Sequence, residues 1–348
     1  MKHHLRELIH LRSIGRAALL IASLTSFLSC SLSDLAPDEA FFVETNGAVL
    51  PVYIMRNKES DVFVIYNHGG MGTAYYRTYF DSYQQLRESY NIAFFTHRGV
   101  EASQGNPSLD SFNWDQFIYD LHLIVRTIDT KYHPKSIFLI GYSWSGYLVK
   151  RYLSDPALER RITGYIDLCG MSHDMEKQYG LVGTKVQTVT DDPELLAWIA
   201  KHPEANFDNY EELVGYADEL TPDFIWDDWD AQMKETALHY GATSPVNIMA
   251  WLINSSQKMI HSEKWMPMNN AMFSEKVDIA DITIPTLVIS GAYDYDCNDL
   301  VGADFFNGIG TEASRKEHQV FPMSGHFPDL NEPDRFVSVV SRFIDKYR

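Results

Sequence analysis

Strand-like runs ending in small-residue turns recur along this sequence, with helical patterns between them. "DVFVIYNHGG", "NIAFFTHRG", "SIFLIGYS", "ITGYIDLCG", "IPTLVISGAYD" and "KEHQVFPMSGH" are the runs. The helical patterns cover residues 75–88, 112–130, 145–153 and 333–347. Buried strands alternating with helices predict an α/β fold, a mostly parallel sheet with helices on both faces. The opening "FFVETNGAVLPVYIM" holds two apolar runs around Asn46 and Gly47, a hairpin signal that adds antiparallel strands at one edge. Residues 170–281 break the pattern, with Trp, Tyr and acid clusters, several prolines and no strand-like run. They predict an inserted helical cap between a core formed by residues 41–169 and 282–348. An open parallel sheet holds its ligand at the carboxyl ends of its strands, which is where such a cap would lie. At 348 residues and 45% hydrophobic content, the chain can build a large core with an inserted subdomain.

The N-terminus reads differently. Lys2, Arg6, Arg12 and Arg16 precede an apolar run over 17–28, which is too short to span a bilayer as a mature helix. Residues 1–29 therefore predict a secretory signal peptide. Ser29 before Cys30 resembles a bacterial lipoprotein signal, which implies lipidation at Cys30 and a short tether over 30–40. The expectation is an exported protein of the periplasm or cell envelope, held to the membrane by its lipid. Cys169 and Cys297 would be the cysteines left besides Cys30; one bridge or two buried free thiols both fit.

The net charge is −18, and removing residues 1–29, with four bases and one acid, leaves about −21. Such a chain is not built to bind nucleic acid through phosphates, but its charge suits a cationic substrate. Metal binding is not expected: the 13 histidines form no HExxH and no Cys/His cluster with ligand spacing, and His261, close to Glu263, reads as a surface residue.

A nucleophilic serine needs a base, an orienter for that base and donors for the oxyanion. Each has a candidate at a strand end. "GYSWSG" offers two serines. A nucleophile elbow needs small residues two before and two after the serine. Ser143 has Gly141 and Ser145 there, whereas Ser145 has Ser143 and the bulky Tyr147. Ser143 is thus the expected nucleophile. In "NHGGMG", the N–H of Gly70, or of Met71, pairs with that of Trp144 as the candidate oxyanion hole. "ISGAYDYDCN" supplies Asp294 as the acid, with Asp296 the competitor. "FPMSGH" supplies His326 as the base. The order Ser, Asp, His is that of α/β-hydrolases.

From about Phe41 to the C-terminus the sequence resembles an α/β-hydrolase, and its motifs resemble those of proline iminopeptidases. "HGGMG" is similar to their HGGPG, with Met71 in place of Pro. "THRGVEASQG" is similar to DQRGxGxS through Arg98, Gly99 and Ser103, with His97 for Gln and Glu101 for Gly. "GAYDYDCN" is similar to GxYDxxCP, with Asn298 for Pro. The elbow is SWSG where SWGG is usual. The resemblance implies hydrolysis through an acyl-enzyme, with no metal or organic cofactor, and suggests peptide substrates with a free amino end.

Residues 191–240 carry fourteen Asp or Glu against two Lys, interleaved with aromatics and densest at "FIWDDWD". Trp226, Asp227, Asp228 and Trp229 are the candidate substrate-binding residues, since acids and aromatic faces hold an ammonium. A solvated acidic helix surface explains the same pattern. The function expected is an exported aminopeptidase acting on short peptides or amino-acid amides. The alternatives are a carboxylic ester hydrolase on the same scaffold and a non-catalytic binding protein of the envelope. Haloalkane dehalogenases and epoxide hydrolases use an aspartate nucleophile, which Ser143 speaks against. Oligomeric state is left open.

Overall fold

The computed structural model describes residues 37–70, 77–78, 80–100, 103–228 and 263–348. The segment expected to be a signal (residues 1–29), Cys30, Met71, Glu101, Trp229 and His261 lie outside the described residues.

The expected hairpin forms from β1 (Glu39–Thr45) and β2 (Ala48–Met55), paired antiparallel with Thr45 opposite Ala48. Asn46 and Gly47 both take positive φ, 39° and 79°, as a two-residue hairpin turn requires. β3 (Val62–Asn67), β4 (Asn91–Phe95), β6 (Ser136–Tyr142), β7 (Gly164–Leu168), β8 (Thr286–Gly291) and β9 (Lys316–Phe321) form the parallel part. The order is β1-β2-β4-β3-β6-β7-β8-β9, and a two-residue β5 (Gln104–Gly105) pairs with β2. β5 is too short to show as an apolar run in the sequence.

Alternation along the strands divides the core into two layers. Phe63 and Ile65 of β3 face one layer, and Val64 and Tyr66 the other. α1 (Asp81–Leu86) and α9 (Pro333–Tyr347) cover the Tyr66 face. α2 (Trp114–Tyr132) and α3 (Trp144–Leu153) cover the opposite face.

Among the described residues, the helices between β7 and β8 include α4 (Met175–Val189), α5 (Pro193–Lys201), α6 (Phe207–Asp218) and α7 (Met266–Met272), with a further helical turn over 223–228. No strand lies there among the described residues. Polar residues begin three of them: Asp174 accepts from the Lys177 N–H, Asp192 from that of Glu194, and Asn206 from that of Asn209. Pro193 and Pro267 sit in first turns, where proline's missing N–H costs no helix bond. α8 (Asp299–Gly308) was not among the expected helices, although Asn298 caps it through the N–H groups of Leu300 and Val301. No helix among the described residues is long and apolar enough to cross a membrane.

Candidate active site

Strand β6 stops at Tyr142 and α3 starts at Trp144, so Ser143 must make the whole turn. It does so at φ 53°, ψ −125°, a conformation that costs a non-glycine residue about 1–3 kcal/mol. Close packing holds it there. A side chain on Gly141 would meet the Tyr165 hydroxyl, and one on Gly146 would meet the backbone of Gly170. The Ser143 carbonyl accepts from the N–H groups of Gly146 (2.8 Å) and Met171 (2.9 Å). The small-residue rule thus has a direct physical cause here. Ser145 is fully buried, and its hydroxyl donates to the His68 carbonyl at 2.5 Å. It is not presented to a substrate.

His326 Nε2 lies 2.9 Å from Ser143 Oγ, and its Nδ1 lies 2.8 Å from Asp294 Oδ2. The other Asp294 oxygen accepts from the N–H groups of Asp296 (3.0 Å) and Cys297 (2.9 Å). The competing acid, Asp296, instead accepts from the Tyr210 hydroxyl and from Gln178. Gly291 lets the two loops meet, since a Cβ there would strike the backbone of Ser324 and Gly325 beside His326. Behind His326, Glu332 accepts from the Met323 N–H (2.9 Å) and the Ser324 hydroxyl (2.8 Å).

The glycine turn after β3 runs against the elbow: a Cβ on Gly69 would lie 2.5 Å from that of Ser143. Gly70 takes φ 47°, and no described atom lies within 4 Å of where its Cβ would be. The turn therefore runs its backbone beside Ser143, near the first N–H of α3. That N–H belongs to Trp144 and has no partner within the helix.

A model of the alpha/beta hydrolase family matches residues 62–339. The chain belongs to the alpha/beta hydrolase family. The fold is similar to that of VinJ (TM-score 0.63, 16% identity, 90% of this chain and 100% of that one). It is also similar to a proline iminopeptidase from Mycobacterium smegmatis (TM-score 0.59, 16% identity, 89% and 98%). An esterase from Exiguobacterium antarcticum is comparable (TM-score 0.58, 16% identity, 88% and 100%). A search of curated protein sequences finds no match.

In this alpha/beta hydrolase the surroundings of His326 are acidic. Burial disfavours the imidazolium, but Asp294, Asp296 and Asp218 outweigh it and raise the His326 pKa. The Asp296 carboxyl is raised, by burial first and then by Asp294. The Asp218 carboxyl is pushed up as well, by lost solvation first and by Asp296 next. Asp218 is open to solvent at the end of α6, which tempers the first of those causes. Neither Asp218 nor Asp296 forms an ion pair with a Lys or Arg among the described residues.

Of the expected substrate-binding residues, Trp226, Asp227 and Asp228 are exposed. Their helical turn, 223–228, does reach the catalytic loops: Asp228 accepts from Asn331 (3.0 Å), and Ile225 packs on Gly325. Besides Asp294, Asp296 and Asp218 are the acids whose charge raises the His326 pKa. Asp218 went unnoticed because it lies among many acids in the sequence, and only the packing of α6 decides which of them acts on His326.

Cys169 and Cys297 are buried free thiols whose pKa values are raised, by burial first. With Asp294 or Asp296 and His326 they bring metal-ligand atoms within 4.8 Å of one another. Both sets need a nitrogen of His326, and both its nitrogens already serve Ser143 and Asp294.

Proposed function

We propose that this chain is a serine hydrolase with Ser143 as nucleophile, His326 as base and Asp294 as orienter. The observation that carries this reading is the single imidazole bridging Ser143 at 2.9 Å and Asp294 at 2.8 Å. His326 Nε2 takes the hydroxyl proton as Ser143 Oγ attacks a carbonyl carbon. Asp294 keeps the proton on Nδ1 and stabilises the imidazolium. The N–H groups of Gly70 and Trp144 receive the oxyanion. His326 then returns the proton to the leaving group, and water repeats the cycle on the acyl-enzyme.

The substrates we propose are short peptides or amino-acid amides with a free amino end, as for proline iminopeptidases. Asp218 and Asp296 support this, because acids that act on the base and pair with no Lys or Arg among the described residues suit a substrate ammonium. The second reading is a carboxylic ester hydrolase, supported by the likeness to an esterase at nearly the same TM-score. The helices between β7 and β8 would act as the cap that admits substrate and excludes water.

The test compares an alanyl or prolyl anilide, its N-acetylated form and a short-chain aryl ester, with Ser143→Ala as blank. Cleavage of the free amine without the acetylated compound supports the aminopeptidase. Cleavage of the ester alone supports the second reading. We further propose export with lipidation at Cys30: Cys30→Ala should move the protein from the membrane to the soluble fraction, and unchanged partition would contradict it.

A further inference from the structure

His97 and Ser145, the residues standing where the resemblance leads one to expect Gln and Gly, touch each other. His97 Nε2 lies 3.0 Å from Ser145 Oγ, and both residues are buried. Ser145 Oγ also lies 2.5 Å from the His68 carbonyl oxygen. Two oxygens that close need the hydroxyl proton between them, so Ser145 donates to His68 and must accept from His97. His97 therefore carries its proton on Nε2. Its Nδ1, buried without a partner, is then a bare lone pair and not an orphaned donor.

The ring closes through His68. The His97 N–H donates to His68 Nε2 at 3.1 Å. His68 therefore carries its proton on Nδ1, which donates to the Gly69 carbonyl at 3.2 Å. Burial lowers the pKa of both imidazoles, that of His68 to about 4, so both stay neutral near pH 7.

In a planar trans peptide, C=O and N–H point in opposite directions. Fixing the His68 carbonyl fixes the direction of the Gly69 N–H, and fixing the Gly69 carbonyl fixes that of the Gly70 N–H. We propose that His97, Ser145 and His68 are positioning residues, a hydrogen-bonded ring that aims the backbone amides of the glycine turn at the oxyanion formed on Ser143. None of the three touches substrate. The ring spares the amides from reorganising during the reaction, the condition under which such donors are most effective. The inference rests on the serine-hydrolase reading above.

The test is the rate of phosphonylation by a small fluorophosphonate, which needs nucleophile, base and oxyanion donors but no knowledge of the substrate. Ser145→Ala should lower the limiting rate about tenfold, short of the roughly 10²–10³-fold cost of losing a donor outright. The half-saturating concentration should stay unchanged. His97→Leu should match it. His97→Gln keeps an N–H donor and should stay within about threefold of the unaltered protein. The double variant Ser145→Ala/His97→Leu should lose no more than either single one, as residues acting as one unit do. The proposal is overturned if Ser145→Ala reacts at the full rate, if the loss appears in binding, or if the single losses multiply. Should Ser145→Ala not fold, His97→Gln against His97→Leu decides alone, equal rates counting against it. A Ser143→Ala protein that is still labelled would instead overturn the serine-hydrolase reading, whatever Ser145→Ala does.

Discussion

Ser143 and Ser145 differ only in where two residues of chain take them. One is held in a strained turn facing an imidazole; the other is sealed behind it. Ser143→Ala should lose about 10³-fold or more of turnover with the fold intact, and His326→Ala should match it within a small factor. Asp294→Asn should be far more damaging than Asp296→Asn, and the reverse order in a rate assay would mean that the acid is misassigned. His326 must be neutral to accept the serine proton, so activity falls as pH drops through its pKa. Asp294, Asp296 and Asp218 raise that pKa. The acid limb of the kcat/KM profile should therefore lie above the ordinary imidazole range, and Asp296→Asn should move it to lower pH. A limb that stays put or moves upward would contradict the assigned surroundings. The choice between the serines was legible from the sizes of four neighbouring residues. The bond from Ser145 to His97 was not, because it joins positions 48 residues apart that only the sheet register brings together.

At the scale of elements, the strands and most of their helices were legible because each carries its own signal. The Asn46-Gly47 hairpin and α9 are examples. α8 hid behind Asp294 and Asp296, its Asn298 cap lost in a run of polar residues that reads as loop. Arg98, found from its motif, acts through structure: its guanidinium binds Asp120 of α2 at 2.6 and 2.8 Å, and both side chains are buried. Asp120 also accepts from Thr45 at the end of β1 and from Gln116. This one carboxylate ties the loop after β4, the edge hairpin and α2 together, and the same loop meets the glycine turn through the His97 N–H. Asp120→Ala should cost about 3–5 kcal/mol in urea unfolding, because it leaves a buried guanidinium without its anion. A loss under about 1 kcal/mol would show the pair to be relaxed by water.

For the whole molecule, charge was the broadest signal and the least specific. The net charge of −18 counts against nucleic acid, and the acids of 191–240 point to a cation. Which acids face the site depends on helix packing between β7 and β8, and composition does not carry that. If the acids draw in an ammonium, kcat/KM for a free-amine anilide should fall as salt rises, while that for a neutral aryl ester stays level. Parallel salt profiles would mean that the acids only solvate the surface. The central claim is narrower, that Ser143 is the residue that attacks. The most direct measurement is to react the purified protein to completion with a fluorophosphonate and map the adduct by peptide mass spectrometry. The prediction is one adduct per chain, on Ser143. An adduct on Ser145, or none in protein that still turns over substrate, would contradict it.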